Sequence, residues 1–419
     1  GEYLTEGWEN EIIITTFVQL FESLFTNRNR ALRKFHNLAN SIIILDEVQN
    51  IPPKFVEVIE RVFEEMANKF NTIFLFVTAT QPIILPNKIV QLEVNKNKPS
   101  GYFFKGLNRI NIDQHLLKSG ELNNEQLFEE LRNCASDNPN KSILVIVNTK
   151  VFSQSIYERL NKTITHKCLY LSAALIPYHR KKVIDAVKNA DKPICLISTQ
   201  VVEAGVDIDF DIVFREYAPM DSINQAAGRC NRNGAKNKGI LYIFKYKRKV
   251  PLKIYDATLI NITKDVLEER ENVIPEFRLF EINLDYFNQV KQKIQDDNDS
   301  SIKLLEHIYN LQFEKIKDEF KLIEKNWIEH DFFIPVNQEA EVVWLSYLDC
   351  IEIENSYERK AELKRIKPCL LNYVISIPDY IVEVEDNESE LSIIRRDVWS
   401  DFYSNEIGYF KTQNKTISF

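Results

Sequence analysis

Two acidic residues, Asp46 and Glu47, directly follow an aliphatic run at residues 42–45 that is typical of a buried β-strand. Carboxylates in that position can serve phosphoryl transfer: the first holds Mg²⁺, and the second orients and polarises the attacking water. The dipeptide alone is a weak signal, because acidic pairs are also common as solvated caps where strands end. A nucleotide site would need further polar groups from neighbouring elements.

A turn with two threonines, Thr78 and Thr80, follows the next predicted buried strand at residues 71–77. Hydroxyl groups beside a carboxylate pair can relay the state of a bound nucleotide to a second lobe through side-chain hydrogen bonds. The same residues are also typical of an ordinary turn and helix cap. The turn therefore strengthens the phosphate hypothesis without deciding it.

The strongest pattern is the polar string at residues 197–209. Gly205 permits close approach of the backbone to a ligand. Asp207 could accept a hydrogen bond from a ribose hydroxyl or hold a neighbouring arginine. Ser198 and Thr199 begin the string directly after a predicted strand.

A second string at residues 221–234 contains two arginines, Arg229 and Arg232. Their spacing of three predicts that both project from one helical face toward the same phosphate. Two guanidinium groups there could neutralise the charge that develops on a transferred phosphoryl group. Structural salt bridges are the alternative interpretation of the pair.

Strands alternate with helices along the first 250 residues, which predicts parallel α/β sheets. We expect a short strand at 11–14 and a helix after it, then strands at 42–45 and 71–77 around a helix at 54–70. Further strands are expected near 142–147, 168–171, 194–197, 212–214 and 240–244. The predicted segments are a first α/β lobe (1–106), a second lobe (107–250), a helical linker region (251–345) and a C-terminal accessory domain (346–419).

The charge distribution favours a polyanionic partner, although the chain carries a net charge of −8. Residues 141–250 contain 19 Lys and Arg residues against 9 Asp and Glu residues, and such a basic region is typical of a nucleic-acid site. A solvated basic surface is the alternative. Six scattered cysteines without a C-x-x-C pair, no apolar membrane-length run and no secretory signal predict a cytoplasmic protein with reduced thiols.

Four of these strings resemble, in chain order, motifs II, III, V and VI of superfamily 2 helicases. They are residues 46–49 (motif II), 78–80 (motif III), 198–207 (motif V) and 225–232 (motif VI). The variants are similar to those of the type I CRISPR-associated helicase–nuclease family, and Gln49 favours that family over RNA helicases. Supporting strings are Thr-Thr-Phe-x-Gln from Thr15, and residues 32–40 and 170–180. The resemblance covers residues 10–235, and it implies two RecA-like lobes, the first incomplete, followed by linker helices and a small C-terminal domain.

The resemblance implies ATP and Mg²⁺ as cofactors, with Asp46 as the metal ligand and Asp46, Glu47, Arg229 and Arg232 as catalytic residues. The nucleotide-binding residues that it implies are Gln49, Thr78, Thr80, Gly205, Asp207 and Gln225. Single-stranded DNA would pass between the lobes in the 3′ to 5′ direction, and its backbone would contact Thr15, Thr16, Asn148, Thr149, Ser198 and Thr199. An ordinary turn explains Asn148 and Thr149 equally well.

Two expected features are not in this sequence. None of the ten glycines precedes a lysine, so a phosphate-binding loop of the Gly-Lys type is missing. The family's nuclease domain carries several metal-binding histidines, whereas the single His-Asp dipeptide here, His330–Asp331, is interpreted as a helix-end pair. We therefore expect the C-terminal portion of a helicase–nuclease, whose N-terminal portion is in the same or a separate chain.

Three functional hypotheses follow. The first is part of a DNA helicase that acts with a type I CRISPR RNA-guided surveillance complex. The second is a non-catalytic DNA-binding or partner-docking fragment that does not hydrolyse ATP. The third is an RNA helicase of the same superfamily, because both classes share these motifs.

Overall fold

The computed structural model describes residues 7–48, 51–78, 106–234, 238–248, 254–296, 299–322, 328–379, 391–393 and 399–410. The chain divides into two compact units. The first contains residues 1–106, 256–269 and 277–324, and the second contains residues 107–255, 270–276 and 325–419. The predicted division into four consecutive segments stays a prediction.

The first unit is built on two parallel strands, β1 (Ile42–Asp46) and β2 (Ile73–Val77). Helix α3 (Val56–Phe70) connects them, after a 3₁₀ turn at Pro53–Phe55 where proline suits the first helical position. The other helices of this unit are α1 (Phe17–Leu24), α2 (Asn29–Leu32), α9 (Ala257–Glu268), α10 (Leu279–Asp296), α11 (Asp299–Tyr309) and α12 (Phe313–Glu319).

Aromatic side chains form the core of the first unit. Phe21 of α1 stacks on Phe63 of α3 with ring centroids 6.1 Å apart, and Phe25 stacks on Phe320 at 4.1 Å. Helix α1 begins at Thr16, whose side chain accepts a hydrogen bond from the Gln19 amide. The predicted helix is confirmed, but the strand predicted at residues 11–14 is wrong, because that segment makes no strand pairing.

The second unit contains an eight-stranded, mostly parallel sheet. The strand order is β10-β3-β9-β8-β5-β7-β6, β4 also pairs with β9, and only the β10–β3 pair is antiparallel. The strands are β3 (Ile110–Asp113), β4 (Glu121–Leu122), β5 (Ile143–Ile146), β6 (Lys167–Leu171), β7 (Ile194–Ser198), β8 (Ile212–Glu216), β9 (Gly239–Tyr246) and β10 (Val273–Pro275).

Helices α4 (His115–Lys118), α5 (Asn124–Asp137), α6 (Lys150–Leu160), α7 (Pro177–Lys188) and α8 (Met220–Ala227) connect these strands. The five strands expected in this region are all present, because each contains an apolar run, and β5 and β7 are buried along their whole length. The predicted α/β class is therefore confirmed. The short strands β3 and β10 have no counterpart among the sequence predictions, since β3 carries polar residues at alternate positions and β10 spans three residues.

The C-terminal part of the second unit has a small sheet of its own, in the order β12-β11-β13. Its elements are β11 (Glu329–Phe333), α13 (Gln338–Ile351), α14 (Ser356–Leu370), β12 (Val374–Pro378) and β13 (Ser392–Ile393). A hairpin of β14 (Tyr403–Ser404) and β15 (Gly408–Tyr409) follows. The hairpin packs tightly, because a side chain on Gly408 would collide with the carbonyl oxygen of Ala174.

No helix in the described part of the chain combines the length and the apolar character that crossing a lipid bilayer requires.

Candidate functional site

The acidic pair lies at the carboxyl end of β1, as the sequence predicts. Asp46 is the last residue of the strand and is exposed, and Glu47 follows it with a positive φ of 55°. The Glu47 amide donates to Val77 O at 2.9 Å and to Asp46 Oδ1 at 3.0 Å. These bonds fix the turn after β1 against the end of β2, so that Asp46 and Val77 are paired in register.

Thr78 directly follows β2 and therefore lies beside the Glu47 turn. Asp46, Glu47 and Thr78 are thus adjacent in the first unit, because the carboxyl ends of two neighbouring parallel strands lie at the same edge of the sheet. Gln49 and Thr80, the other predicted nucleotide-binding residues of this unit, lie outside the described residues.

The second half of the predicted site is at the end of β7. Ser198 is the last residue of that strand, and the loop after it forms a 3₁₀ turn at Gln200–Val202. Gly205 has a φ of +72°, a left-handed conformation that glycine adopts without strain. Asp207, further along this loop, is largely exposed and pairs with Arg232, with 3.3 Å between Asp207 Oδ1 and Arg232 Nη1.

The two arginines of motif VI do not share a helical face. Helix α8 ends at Ala227 with Gly228 as its C-cap, so both arginines lie beyond it. Arg229 is buried and donates to Val202 O at 2.8 Å and to Glu203 O at 2.7 Å. Arg232 is 41% exposed at its side chain. The prediction of one shared face is wrong, because the helix ends two residues before Arg229.

The contacts give the two arginines different environments. The Arg229 guanidinium holds the backbone of the motif V loop, whereas Arg232 keeps part of its guanidinium in solvent. The Arg232 amide also donates to Asp209 Oδ1 at 2.8 Å, which fixes its backbone. Gln225, on α8, is half-buried. Motifs V and VI are therefore brought together within the second unit, with Arg232 as the more accessible cation.

The predicted DNA-contacting residues also divide into two groups. Thr15 and Thr16 are exposed, and Thr149 is half-buried and caps helix α6 by accepting a hydrogen bond from the Phe152 amide at 3.3 Å. The other three, Asn148, Ser198 and Thr199, are buried.

Asn148 and Ser198 use their side chains inside the lobe. Asn148 Nδ2 donates to Tyr217 O at 2.9 Å, and its Oδ1 accepts from Arg215 Nη1 at 2.7 Å. Ser198 Oγ donates to Leu171 O at 2.6 Å. The geometry therefore favours a positioning role for these two side chains over direct contact with a phosphate.

A buried ion pair supports the motif V loop, and the sequence analysis did not identify it. Arg215 of β8 is fully buried, and its Nη2 lies 2.8 Å from Glu203 Oε1. Burial raises the pKa of Glu203 above its ordinary value, and the positive charge of Arg215 opposes that shift. Burial alone would lower the pKa of Arg215, but Glu203, Tyr255 and Glu216 raise it overall. An arginine directly after the apolar run at residues 212–214 was the available signal, because a buried charge needs a partner.

The His330–Asp331 dipeptide lies in the middle of β11, not at a helix end. The interpretation as a helix-end pair is wrong, because both residues pair with β12 and Asp331 accepts a hydrogen bond from Ser376 Oγ at 2.5 Å. Within the described ranges, no group of three or more His, Cys, Asp or Glu side chains could hold a metal ion.

Comparison with known proteins gives consistent matches. Residues 139–235 match the family model described as the C-terminal region of the CRISPR-associated nuclease/helicase Cas3. The chain is 26% identical over 323 residues to the Cas3 nuclease/helicase of Haloferax volcanii, covering 56% of this chain and 34% of that protein. It is 25% identical over 410 residues to that of Methanothermobacter thermautotrophicus, covering 88% and 46%. The chain thus spans less than half the length of these two relatives.

Solved structures show the same fold. The crystal structure of T. fusca Cas3 with AMPPNP matches with a TM-score of 0.59 and 13% identity, over 86% of this chain and 50% of that one. A chain of a pre-nicking CRISPR RNA-guided surveillance complex matches with a TM-score of 0.56 and 16% identity, over 89% and 54%. The fold is therefore that of the RecA-like lobes of Cas3 helicases. Together, these matches confirm the resemblance to the CRISPR-associated helicase–nuclease family that the motifs indicate.

Proposed function

We propose that this chain is part of an ATP-dependent helicase that moves along single-stranded DNA in the 3′ to 5′ direction during type I CRISPR interference. The observation that carries the proposal is the contact between motifs V and VI, in which Asp207 holds the partly exposed Arg232 beside the Gly205 turn. A guanidinium held in this way can stabilise the charge of a transferred phosphoryl group.

The acidic turn of the first unit would supply the other catalytic groups. Asp46 offers exposed carboxylate oxygen atoms, the ligand type that Mg²⁺ prefers, so the residues present fit the proposed ion. Mg²⁺, when bound, would neutralise charge on the nucleotide phosphates. Glu47, fixed by its amide contacts to Asp46 and Val77, would orient the attacking water.

The nucleotide itself fits this chain only in part. The described residues offer groups for the metal and the terminal phosphate, but this sequence has no Gly-Lys pair to cradle the phosphates. Support for ATP also comes from T. fusca Cas3, whose structure with AMPPNP has a similar fold. Full activity therefore requires a phosphate-binding loop from the N-terminal portion of the helicase, in the same or a separate polypeptide.

The proposed partners are single-stranded DNA and an RNA-guided surveillance complex. The excess of Lys and Arg in residues 141–250 supports the DNA partner. The structural match to a chain of a surveillance complex supports the second. We place this activity in the cytoplasm.

The test is DNA-stimulated ATP hydrolysis by this chain combined with a polypeptide that carries the phosphate-binding loop. We expect Arg232→Ala to lower the DNA-stimulated rate by at least about 100-fold, because a guanidinium at the transferred phosphoryl group contributes that much or more. Arg365→Ala, which removes a largely exposed arginine on α14, is the matched control and should leave the rate unchanged.

The second candidate is the non-catalytic DNA-binding or docking fragment. The observation that favours it is the buried position of Arg229, whose guanidinium already serves two backbone carbonyls. DNA binding without any DNA-stimulated hydrolysis in a correctly folded combination would support this candidate against the helicase. An unchanged rate in Arg232→Ala would do the same.

A further inference from the structure

The hydroxyl of Tyr255 lies at the centre of a polar cluster in the second unit. It accepts hydrogen bonds from Arg215 Nη2 at 2.8 Å and from Gln200 Nε2 at 3.1 Å. It lies 3.2 Å from Asn148 Oδ1, to which it donates. These three bonds use both the donor and the acceptor capacity of a phenol. The hydroxyl therefore holds three partners at once.

The partners come from two different loops. Asn148 belongs to the turn after β5 that leads into helix α6, and Gln200 begins the motif V turn after β7. Gln200 Nε2 also donates to Asn148 O at 3.2 Å, which joins the two loops directly. Arg215 adds a second link, since its guanidinium reaches both Asn148 and Glu203. The turn at 148–149 and the loop at 200–203 thus share one network.

We propose that Tyr255 is a positioning residue that keeps the 148–149 turn and the motif V loop in a fixed arrangement. The inference rests on the proposed function, which assigns these loops to DNA and to nucleotide. A hydrogen-bond network with shared members responds as a unit, because each bond polarises and orients the next. A displacement of one loop therefore changes the position of the other.

Tyr255 also lies at the point where the chain leaves the second unit. Tyr255 is the last residue of the second unit before the chain enters α9 of the first unit. The next residue, Asp256, caps α9 by accepting a hydrogen bond from the Thr258 amide at 2.7 Å. The segment that leaves the second unit is thus fixed to the same network that joins its two functional loops.

The direct test is amide hydrogen exchange of the full 419-residue chain with Tyr255→Phe. This change removes the hydroxyl and keeps the ring, so that it is milder than any change of the buried Arg215. We expect exchange to become about fivefold faster at amides of both loops, residues 147–150 and 199–203, since the three hydrogen bonds of the hydroxyl are lost. Faster exchange in one loop alone, or in neither, would overturn the proposal.

Tyr246→Phe is the matched control. The Tyr246 hydroxyl donates to Asn124 Oδ1 at 2.8 Å, a bond that involves neither loop, and phenylalanine keeps the ring that stacks on Phe152. We expect its removal to leave exchange at residues 147–150 and 199–203 unchanged. Equal acceleration in both variants would show a general loosening of the lobe and would overturn a specific role for Tyr255.

A second arm measures the binding of a fluorescent oligothymidylate by anisotropy at several salt concentrations. Tyr255→Phe should weaken binding about fivefold with the same salt dependence, because the number of phosphate contacts does not change. Unaltered affinity would overturn the link to DNA. Absence of binding by the parent chain would overturn the proposed function, whereas hydrogen exchange would still decide the role of Tyr255.

Discussion

The parallel sheets of the two units begin from similar sequences but have different surroundings. Residues 42–45 and 143–146 are both unbroken aliphatic runs. All four residues of β5 are buried, whereas Ile42 and Ile44 of β1 are each 64% exposed. The exposed residues of β1 alternate, so one face of that strand is uncovered in the described part of the chain, whereas both faces of β5 are covered. An aliphatic run thus predicts a strand, but neighbouring elements determine its burial.

The largest difference in the free energy of unfolding should come from truncating one aliphatic side chain to alanine in each of the two sheets. We expect Leu144→Ala in β5 to lower the free energy of unfolding by about 3 kcal/mol, because it removes a fully buried side chain and leaves a cavity. Ile44→Ala in β1 should cost less than about 0.5 kcal/mol, since that side chain is mostly in solvent. Urea denaturation, followed by hydrogen exchange in each sheet, measures both. A similar loss in both variants would show that the face of β1 is covered in solution.

The same comparison explains how far the sequence alone leads. The five expected strands of the second unit could be predicted, since each contains an apolar run, and the run is continuous where the strand is buried on both faces, as in β5 and β7. Residues 11–14 carry a similar signal, but no partner strand is described there, and Ile12 and Ile14 are 85% and 97% exposed. The hydrophobic pattern reports the tendency of a segment to form a strand, but it contains no information about which strands pair with it.

Site residues show the same limit. Motif spacing correctly placed Asp46 at a strand end, and the ion pair between Asp207 and Arg232 agrees with one of the two roles considered for Asp207. It failed for the arginine pair, because spacing of three implies a shared face only inside a helix, and α8 ends at Ala227. No sequence pattern indicated Tyr255, since its hydroxyl forms hydrogen bonds with residues that are at least 40 positions away in the chain. Contacts of that kind exist only after the fold has formed.

The second unit also buries a titratable group that should make its stability depend on pH. His179 of α7 is buried, and its Nδ1 lies 2.8 Å from the Tyr403 hydroxyl. Burial, with a smaller contribution from Lys182, lowers the pKa of His179 to about 4. The unfolded chain binds a proton at this histidine below about pH 6.5, whereas the folded chain does so only near pH 4. Stability is therefore lost as the pH falls through that window.

We expect this histidine to contribute up to about 3 kcal/mol to the loss between those pH values. His179→Gln should flatten the pH dependence of unfolding, as measured by urea titrations at successive pH values. His36→Gln, which changes an exposed histidine of the first unit, serves as the control and should leave the slope unchanged. A slope that is the same for His179→Gln and the parent chain would contradict the assignment.

The smallest expected effect on stability concerns two turns that both have a residue with a positive φ, one a glutamate and the other a glycine. Gly205 in the second unit has a φ of +72°, and Glu47 in the first unit has a φ of +55°. Glycine adopts this conformation freely, whereas a residue with a Cβ atom is strained by about 1 kcal/mol. The first unit thus places strain at a proposed catalytic carboxylate, as is common at functional sites.

Removing the Cβ atom at position 47 and adding one at position 205 test whether this backbone strain exists. Glu47→Gly should stabilise the first unit by up to about 1 kcal/mol relative to Glu47→Ala, because both remove the carboxylate but only glycine relieves the backbone. Gly205→Ala should destabilise the second unit by a similar amount. Urea denaturation of the three variants gives the comparison. Equal stability of Glu47→Gly and Glu47→Ala would mean that the turn after β1 is unstrained in solution and is fixed by the hydrogen bonds of the Glu47 amide alone.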